Sequence, residues 1–359
     1  MRSGTLTIEP GTTILGGGGS ALVIEKGASI DAQGTADAPI VMTSVNYESS
    51  PNRGDWGGLV LLGTAGANVD GVAEGFADDP PTYGGDDDAY NCGTLRYVRV
   101  EYAGNEVSPG NELNGITFYA CGTGTTVENV QVHMGLDDGI EMFGGNFNAR
   151  NIVVTGAADD SIDCDQGFRG TLTNVFIHQD PTLGDNCLEW SNQGNDFSAE
   201  PLTSPTISNM TCIGSGAGGE TSKSKGITIK EGTQATVQNS LFIDLTNQAA
   251  ILQNQATQTQ AESGAIAFNG THFCGGGTYE VDTDDEDMDP VSWGNEEFAE
   301  WMVGDGGAID GTDCMLPSTT WGSPSIVPAA MIEGAGTYAG AVDPSGEDWT
   351  AQSWINYTP

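Results

Sequence analysis

The chain has 359 residues, 50 acidic and 10 basic, for a formal net charge of -40. That balance excludes nucleic acid and anionic membrane surfaces as natural partners, because both need clustered Lys and Arg, and it favours cations and solubility in salty surroundings. A hydrophobic fraction of 37% with regular apolar patterning argues against disorder, and no apolar run approaches the ~18 residues of a membrane span.

From the N-terminus, "LTIEPGTTI" (6–14) and "LVIEKGASI" (22–30) match in pattern at a 16-residue offset, as two matched half-coils. "GGGGS" (16–20) between them reads as a turn. Met1-Arg2-Ser3 leads straight into this pattern, so the expectation is a mature chain from which a signal and an upstream capping segment have been removed. "LRYVRV" (95–100) opens a series of the form V/I-x-N followed by alternating apolar residues. Its asparagines are Asn129, Asn151, Asn174, Asn209 and Asn239, the first two steps being 22 and 23 residues, and Tyr97 takes the asparagine place in 95–100.

A second series lies between these: "GITFYA" (115–120), "GIEMFG" (139–144), "SIDCDQ" (161–166), "CLEWSN" (187–192) and "GITIKE" (226–231). Two strand series alternating at about 22 residues describe coils that return the chain one strand spacing along an axis, with parallel pairing between coils. The expected fold is all-β, a right-handed parallel β-helix over 1–270 with an asparagine ladder. A C-terminal capping region follows over 271–359, with an acidic loop (282–290) and a short helix at 295–302. A cap is needed because a solenoid end exposes unpaired strand edges. The acidic loop has EF-hand-like alternation without the Gly and Glu of a full loop, so it is a possible calcium site only in part. The seven cysteines contain no CxxC pair and leave at least one thiol unpaired; Cys274–Cys314 is the expected disulfide.

Aligning the second series by its inward residues gives interior columns Ile116, Ile140, Ile162, Leu188, Ile227 and Phe118, Met142, Cys164, Trp190, Ile229. The outward columns are Thr117, Glu141, Asp163, Glu189, Thr228 and Tyr119, Phe143, Asp165, Ser191, Lys230. At the entering turn stand Asn114, Asp138, Asp160, Asn186 and Lys225, beside Asp137, Asp159 and Asp185. Carboxylates one strand spacing apart (~4.8 Å) repel by roughly 3–4 kcal/mol at an effective dielectric near 20. Cations or shared protons must compensate them.

Three uses of this acid face follow. Oxygen-only ligands suit a divalent cation, above all Ca2+, with Asp138, Glu141, Asp160, Asp163 and Glu189 as ligands. Tyr119 and Phe143, continuing into Asp165 and Asn186, would suit a polysaccharide or surface glycan, which needs an apolar face and hydroxyl acceptors. Asp138, Asp159 and Asp160, with Lys230, would suit glycoside hydrolysis, Asp160 being the candidate acid. Lyase chemistry with Lys230 or Arg169 as base is disfavoured, since ten basic residues make a polyanion cleft hard to build. A structural or adhesive spacer is the non-catalytic alternative. His133 and His178 share an outward column with Thr155 between them, roughly 9.6 Å apart, too far to share a metal, and His272 lies elsewhere.

"GDWGGLVLLG" (54–63), "GTLRYVRVEYAG" (93–104), "NELNGITF" (111–118), "DDGIEMFGG" (137–145) and "YAGAVDPSGEDWTAQSW" (338–354) resemble secreted β-helix surface proteins and lipoproteins of Gram-negative bacteria, within the pectate-lyase-like β-helix superfamily. The resemblance implies the fold and an extracellular or outer-surface location, and no particular activity. A partial resemblance to polygalacturonase-type hydrolases rests on "DDGI", "DDSI" and "GITIKEG", which place Asp138, Asp159, Asp160 and Lys230. Asn186 stands where that family has His, and Thr228 where it has Arg.

Overall fold

The computed structural model describes residues 1–359 apart from 70, 77–78, 109–110, 217–218, 220–222, 276–277 and 283–288. The fold is a right-handed parallel β-helix. One sheet has nine strands, from Leu22–Ile24 through Ile116–Tyr119, Ile140–Phe143, Ile162–Asp165, Asn186–Trp190 and Lys225–Ile229 to Thr278–Asp282. The other has 14 strands and contains the asparagine series. Both continue past residue 270, with Thr278–Asp282 in the first and His272–Cys274 and Ile309–Thr312 in the second.

The column alignment holds residue by residue. Ile140 pairs with Ile116 and Ile162, Glu141 with Thr117 and Asp163, and Phe143 with Tyr119 and Asp165. Leu188, Glu189 and Trp190 then pair with Ile227, Thr228 and Ile229. The inward columns are fully buried and fill the lumen.

The asparagines sit where each long strand bends. Asn129, Asn151, Asn174, Asn209 and Asn239 all have φ between 51° and 57°, the left-handed region that Asn tolerates because its short amide bonds locally. Asn151 Nδ2 donates to Asn129 Oδ1 at 2.9 Å and Asn174 Nδ2 to Asn151 Oδ1 at 3.0 Å, so three residues form the ladder. The other two leave it: Asn209 donates to the Tyr338 carbonyl, and Asn239 Oδ1 accepts from Ala335 N. Tyr97 adopts the same bend at φ 48°.

The N-terminal expectation needs correction, the turn at 16–20 holds apart from Gly16, and the expected short helix is present. The two stretches matched at the N-terminus are not equivalent half-coils: Leu6 pairs with Ile30 in one sheet, and Leu22 belongs to the opposite sheet. The two matched stretches resemble each other because both are short strand–turn–strand corners. "GGGGS" is a turn closed by Ser20 N on the Gly17 carbonyl, but Gly16 is a strand residue packed so closely on the Trp56 ring that a Cβ would lie 2.4 Å from it. The short helix spans Asn295–Val303 with Gly294 as its N-cap, while an earlier helix, Gln255–Glu262, was invisible to periodicity because its polar sequence carries no apolar stripe. Residues 283–288 of the expected acidic calcium loop lie outside the described residues; Asp289 accepts from Ala256 N at 2.8 Å at the start of the earlier helix.

Disulfides join Cys92–Cys121, Cys187–Cys212 and the expected Cys274–Cys314, leaving Cys164 as a buried thiol. Beyond residue 314 the chain returns along the outside of the 14-stranded sheet. Ile326, Ala341, Val342, Trp354 and Ile355 cover Val153, Phe176 and Ile213, outward apolar residues that would otherwise face water.

Candidate functional site: the acid face

The acids converge because parallel pairing repeats one outward position in each coil. Four groups of three have ligand oxygens within 4.8 Å of one another: Asp137–Asp138–Asp159, Asp138–Glu141–Asp163, Asp159–Asp160–Asp185 and Asp160–Asp163–Glu189. All five expected metal-binding residues belong to these groups. Asp137, Asp159 and Asp185 join them from the neighbouring turn column.

The four groups differ in compensation. Lys230 Nζ lies 2.7 Å from Glu189, and Lys225 Nζ lies 2.8 Å from Asp185, so the two later groups carry built-in ammonium counterions. Asp160 Oδ1 further accepts from the Asn186 backbone N and from Asn186 Nδ2 at 2.9 Å. Among the described residues no Lys or Arg pairs with Asp138, Glu141 or Asp163, all of them buried. Asp163 Oδ1 has no hydrogen-bond partner.

The electrostatics follow. Burial, then neighbouring acids, holds the Asp138 and Glu141 carboxyls well above the usual carboxylate range. Burial and Glu189 do the same to Asp163, against the relief from Lys230, and burial and Glu189 raise Asp160. Asp165 is pushed up to about 6 and Asp137 to about 7, both chiefly by burial. Asp159 is exposed and is also raised, by desolvation and Asp185. Burial opposes the charge on Lys230, yet Glu189 and Asp163 outweigh it and hold the ammonium above its ordinary range. Lys230 is therefore a fixed cation and is unsuited to act as a base. Arg169 is occupied by Asp88 at 3.3 Å.

The expected sugar platform is covered. Tyr119 and Phe143 stack with ring centroids 4.7 Å apart, but they are 1% and 5% exposed. Described residues of the segment between the strands Leu59–Leu62 and Gly93–Glu101 pack over them, among them Ala73 and Tyr83, whose ring lies 4.6 Å from that of Tyr119. Asn186 is not free for substrate either, since its amide holds Asp160 and accepts from Thr228 Oγ1 at 2.7 Å.

The same segment delivers Glu74, which no sequence pattern indicated. Its carboxyl is hydrogen-bonded to that of Glu141, and burial pushes it up to about 7. It escaped notice because the covering segment has no counterpart in other coils and therefore no column to align.

His133 and His178 lie in the expected column with Thr155 between them. Both serve the returning C-terminal segment: His133 Nε2 donates to the Thr358 carbonyl at 2.9 Å, and His178 is bonded to the Thr319 backbone. No described helix is long and apolar enough to cross a membrane.

Comparison with curated proteins and with solved structures gave no match. A family model described as a pectate-lyase-like beta helix domain matches residues 1–323, and with this parallel-coil architecture beneath the match, the chain belongs to that family.

Proposed function

We propose that this is an extracellular β-helix protein stabilised by a divalent cation, calcium, on its acid face, and acting in surface interaction or carbohydrate recognition rather than turnover. The observation carrying the cation reading is the group Asp138–Glu141–Asp163, three buried carboxylates within 4.8 Å with no ammonium or guanidinium paired to them among the described residues. Buried like charges must be paired or neutralised. An all-oxygen donor set without His or Cys fits a hard ion that takes 6–8 oxygens. Extracellular placement is supported by three disulfides, which persist in oxidising compartments. A surface or carbohydrate-related role is supported by the family's architecture.

Glycoside hydrolysis draws less support. Asp138 and Asp160 are 7% and 5% exposed, Asp160 is engaged by Asn186, and only Asp159 of the candidate acids faces solvent. A substrate oxygen would need to reach groups now under cover.

The test is a thermal melt of the purified chain with calcium, with magnesium and with chelator. A calcium-specific rise in Tm is expected. Identical melting in all three would remove the cation reading. A glycan-hydrolysis screen between roughly pH 4 and 7 would then examine the shared-proton alternative.

A further inference from the structure

The turns that join the two sheets differ in length from coil to coil. The strand Asn186–Trp190 is followed by a long loop, residues 191–205, before Thr206–Ile213. In the next coil Lys225–Ile229 reaches Ala235–Gln238 through residues 230–234 alone. In the coil after that, the helix Gln255–Glu262 stands between Gln248–Gln253 and Ile266–Ala267. Strands of these three coils are neighbours in both sheets. A short turn therefore lies between two projecting ones, and the flanking coils are two strand spacings apart, ~9.6 Å. The result is an open cleft of about 740 Å3, within the roughly 300–1,000 Å3 of small-molecule sites. Gly232 of the short turn is wedged between the two walls: a Cβ there would lie 2.4 Å from the Phe197 carbonyl oxygen and 3.5 Å from Ala256 Cβ.

Half-buried Phe197, Leu202 and Ala256 give the cleft apolar surface. Asp196, Glu200 and Asp289 give it carboxylates, each held through one oxygen. Asp196 Oδ1 accepts from Ser198 N at 3.0 Å, Glu200 Oε2 from Leu202 N at 3.1 Å and Asp289 Oδ2 from Ala256 N at 2.8 Å. The second oxygen of each has no partner among the described residues. Gln260, whose Oε1 accepts from Gln234 Nε2 at 3.2 Å, and Asn195 add side-chain amide donors that are unpaired among the described residues. No described Lys or Arg lines the cleft. The loop wall is already ordered: buried Asn192 donates through Nδ2 to the Phe197 and Ala199 carbonyls at 3.4 and 3.2 Å, and Gln193 Oε1 accepts from Asn195 N and Asp196 N. Binding there costs little further ordering.

We propose that this cleft binds a neutral oligosaccharide, lying along the short turn with ring faces on Phe197 and Leu202 and hydroxyls on the three carboxylates and the two amides. A polyhydroxyl ligand donates and accepts and so uses the whole set, whereas an ammonium ligand only donates and leaves Asn195 and Gln260 unanswered. An acidic glycan would meet three carboxylates with no cation to offset them, and like charges facing each other oppose binding. The inference rests on the carbohydrate-recognition half of the reading above and is independent of the cation. It moves recognition away from the Tyr119–Phe143 stack, which is covered, to a surface that is open.

The experiment is titration calorimetry of the full chain in chelator. Gluco-, xylo-, manno- and N-acetylated chito-oligosaccharides serve as neutral probes, with oligogalacturonate as the acidic probe and deacetylated chito-oligosaccharide as the cationic one. Wild type, F197A and T259R are compared, and the melting temperature of each is the folding control. Thr259 is exposed on the helix wall, so an arginine there obstructs the cleft without entering the core. At least one neutral probe is expected to bind, equally well at about 0.05 and about 1 M salt, because no charge pairing drives it. F197A should weaken that binding about tenfold, the loss that an aromatic contact carries, and T259R should weaken it with an unchanged melting temperature. Binding that both variants leave at wild-type strength would overturn the cleft as the site while carbohydrate recognition stands. Binding of a charged probe alone would overturn the neutral class. No binding of any probe by wild type would sink carbohydrate recognition and this inference together.

Discussion

His133 Nε2 donates to the carbonyl of Thr358 across 225 residues of sequence, while its Nδ1 lies 2.7 Å from Thr155 Oγ1. A strand residue thus holds the C-terminal end against the β-helix. His272 does the same one end further along, with Nε2 on the Glu333 carbonyl at 2.8 Å.

This clasp should weaken in acid. Burial lowers the His133 and His178 pKa from 6.5 to about 4, outweighing Glu101 and the Thr358 hydrogen bond at His133 and the Thr319 hydrogen bond and Asp180 at His178, with Arg99 and Arg53 reinforcing the shift at His133. The folded value lies below the unfolded one, so the unfolded or undocked form takes the proton first. The stabilisation is complete above about pH 6.5 and is lost as pH falls towards 4, on the order of 2–3 kcal/mol per histidine. Carboxypeptidase trimming or hydrogen exchange of residues 350–359 should accelerate between these values, ahead of global unfolding. Unchanged protection at pH 4.5 would show that the histidines do not hold the segment.

The acid face should behave oppositely when no cation is present. Folding raises Glu74 to about 7, Asp137 to about 7 and Asp165 to about 6, and raises Asp138, Glu141, Asp160 and Asp163. Carboxyls whose folded pKa exceeds the unfolded one contribute stability in acid that is lost as pH rises through the folded value. In chelator, Tm should therefore fall between about pH 5 and 8. Calcium should flatten that decline, with roughly 2.7 kcal/mol returned at a hundredfold excess over Kd. D163N should melt higher than wild type in chelator and gain nothing from calcium.

Lys230→Met removes the ammonium 2.7 Å from Glu189, in a pair whose side chains are 26% and 22% exposed. Leaving Glu189 beside Asp160 and Asp163 should cost about 2 kcal/mol, below the figure for a fully buried pair because solvent screens part of it. The vacated position becomes an uncompensated group like the neighbouring one. Calorimetry should then count an additional calcium ion per chain, and an unchanged stoichiometry would contradict the view of Lys230 as a built-in counterion.

Asn151 is the middle rung of the ladder, bonded on both sides at 2.9 and 3.0 Å with φ 55°. Asn151→Ala loses both bonds and, with them, the short amide that makes the left-handed bend tolerable for a residue with a Cβ, for about 2–3 kcal/mol together. Asn151→Gly loses the bonds alone and should be milder. Urea midpoints of the two variants give the ordering directly; equal losses would mean that the bend itself carries no strain.

Much of this molecule was legible because a coil repeat writes the same position many times. Ile140, Glu141 and Met142 could be placed beside Ile162, Asp163 and Cys164 from spacing alone, and the pairing is the one observed. The acid groups followed from the same alignment. Less legible were departures from the repeat. Asn209 and Asn239 match the ladder in sequence yet bond the returning C-terminal segment, because that segment offers them nearer backbone partners. Cys187 and Cys212 carry no spacing signal, since which thiols meet across the lumen depends on coil phase.

Strand periodicity and the excess of carboxylates over cations by themselves determined the β-helix, its register and the presence of stacked acids. Those are short-range matters, repeated in every coil and set by which side chains alternate inward. Tertiary structure alone decided what covers the acids and which of them are neutralised. The segment with Glu74 and Tyr83, Lys225 and Lys230 at the two ends of the strand Lys225–Ile229, and the C-terminal return are single events in the chain. Tyr119 and Phe143 point outward as alternation requires, yet burial under that segment removes them from the surface.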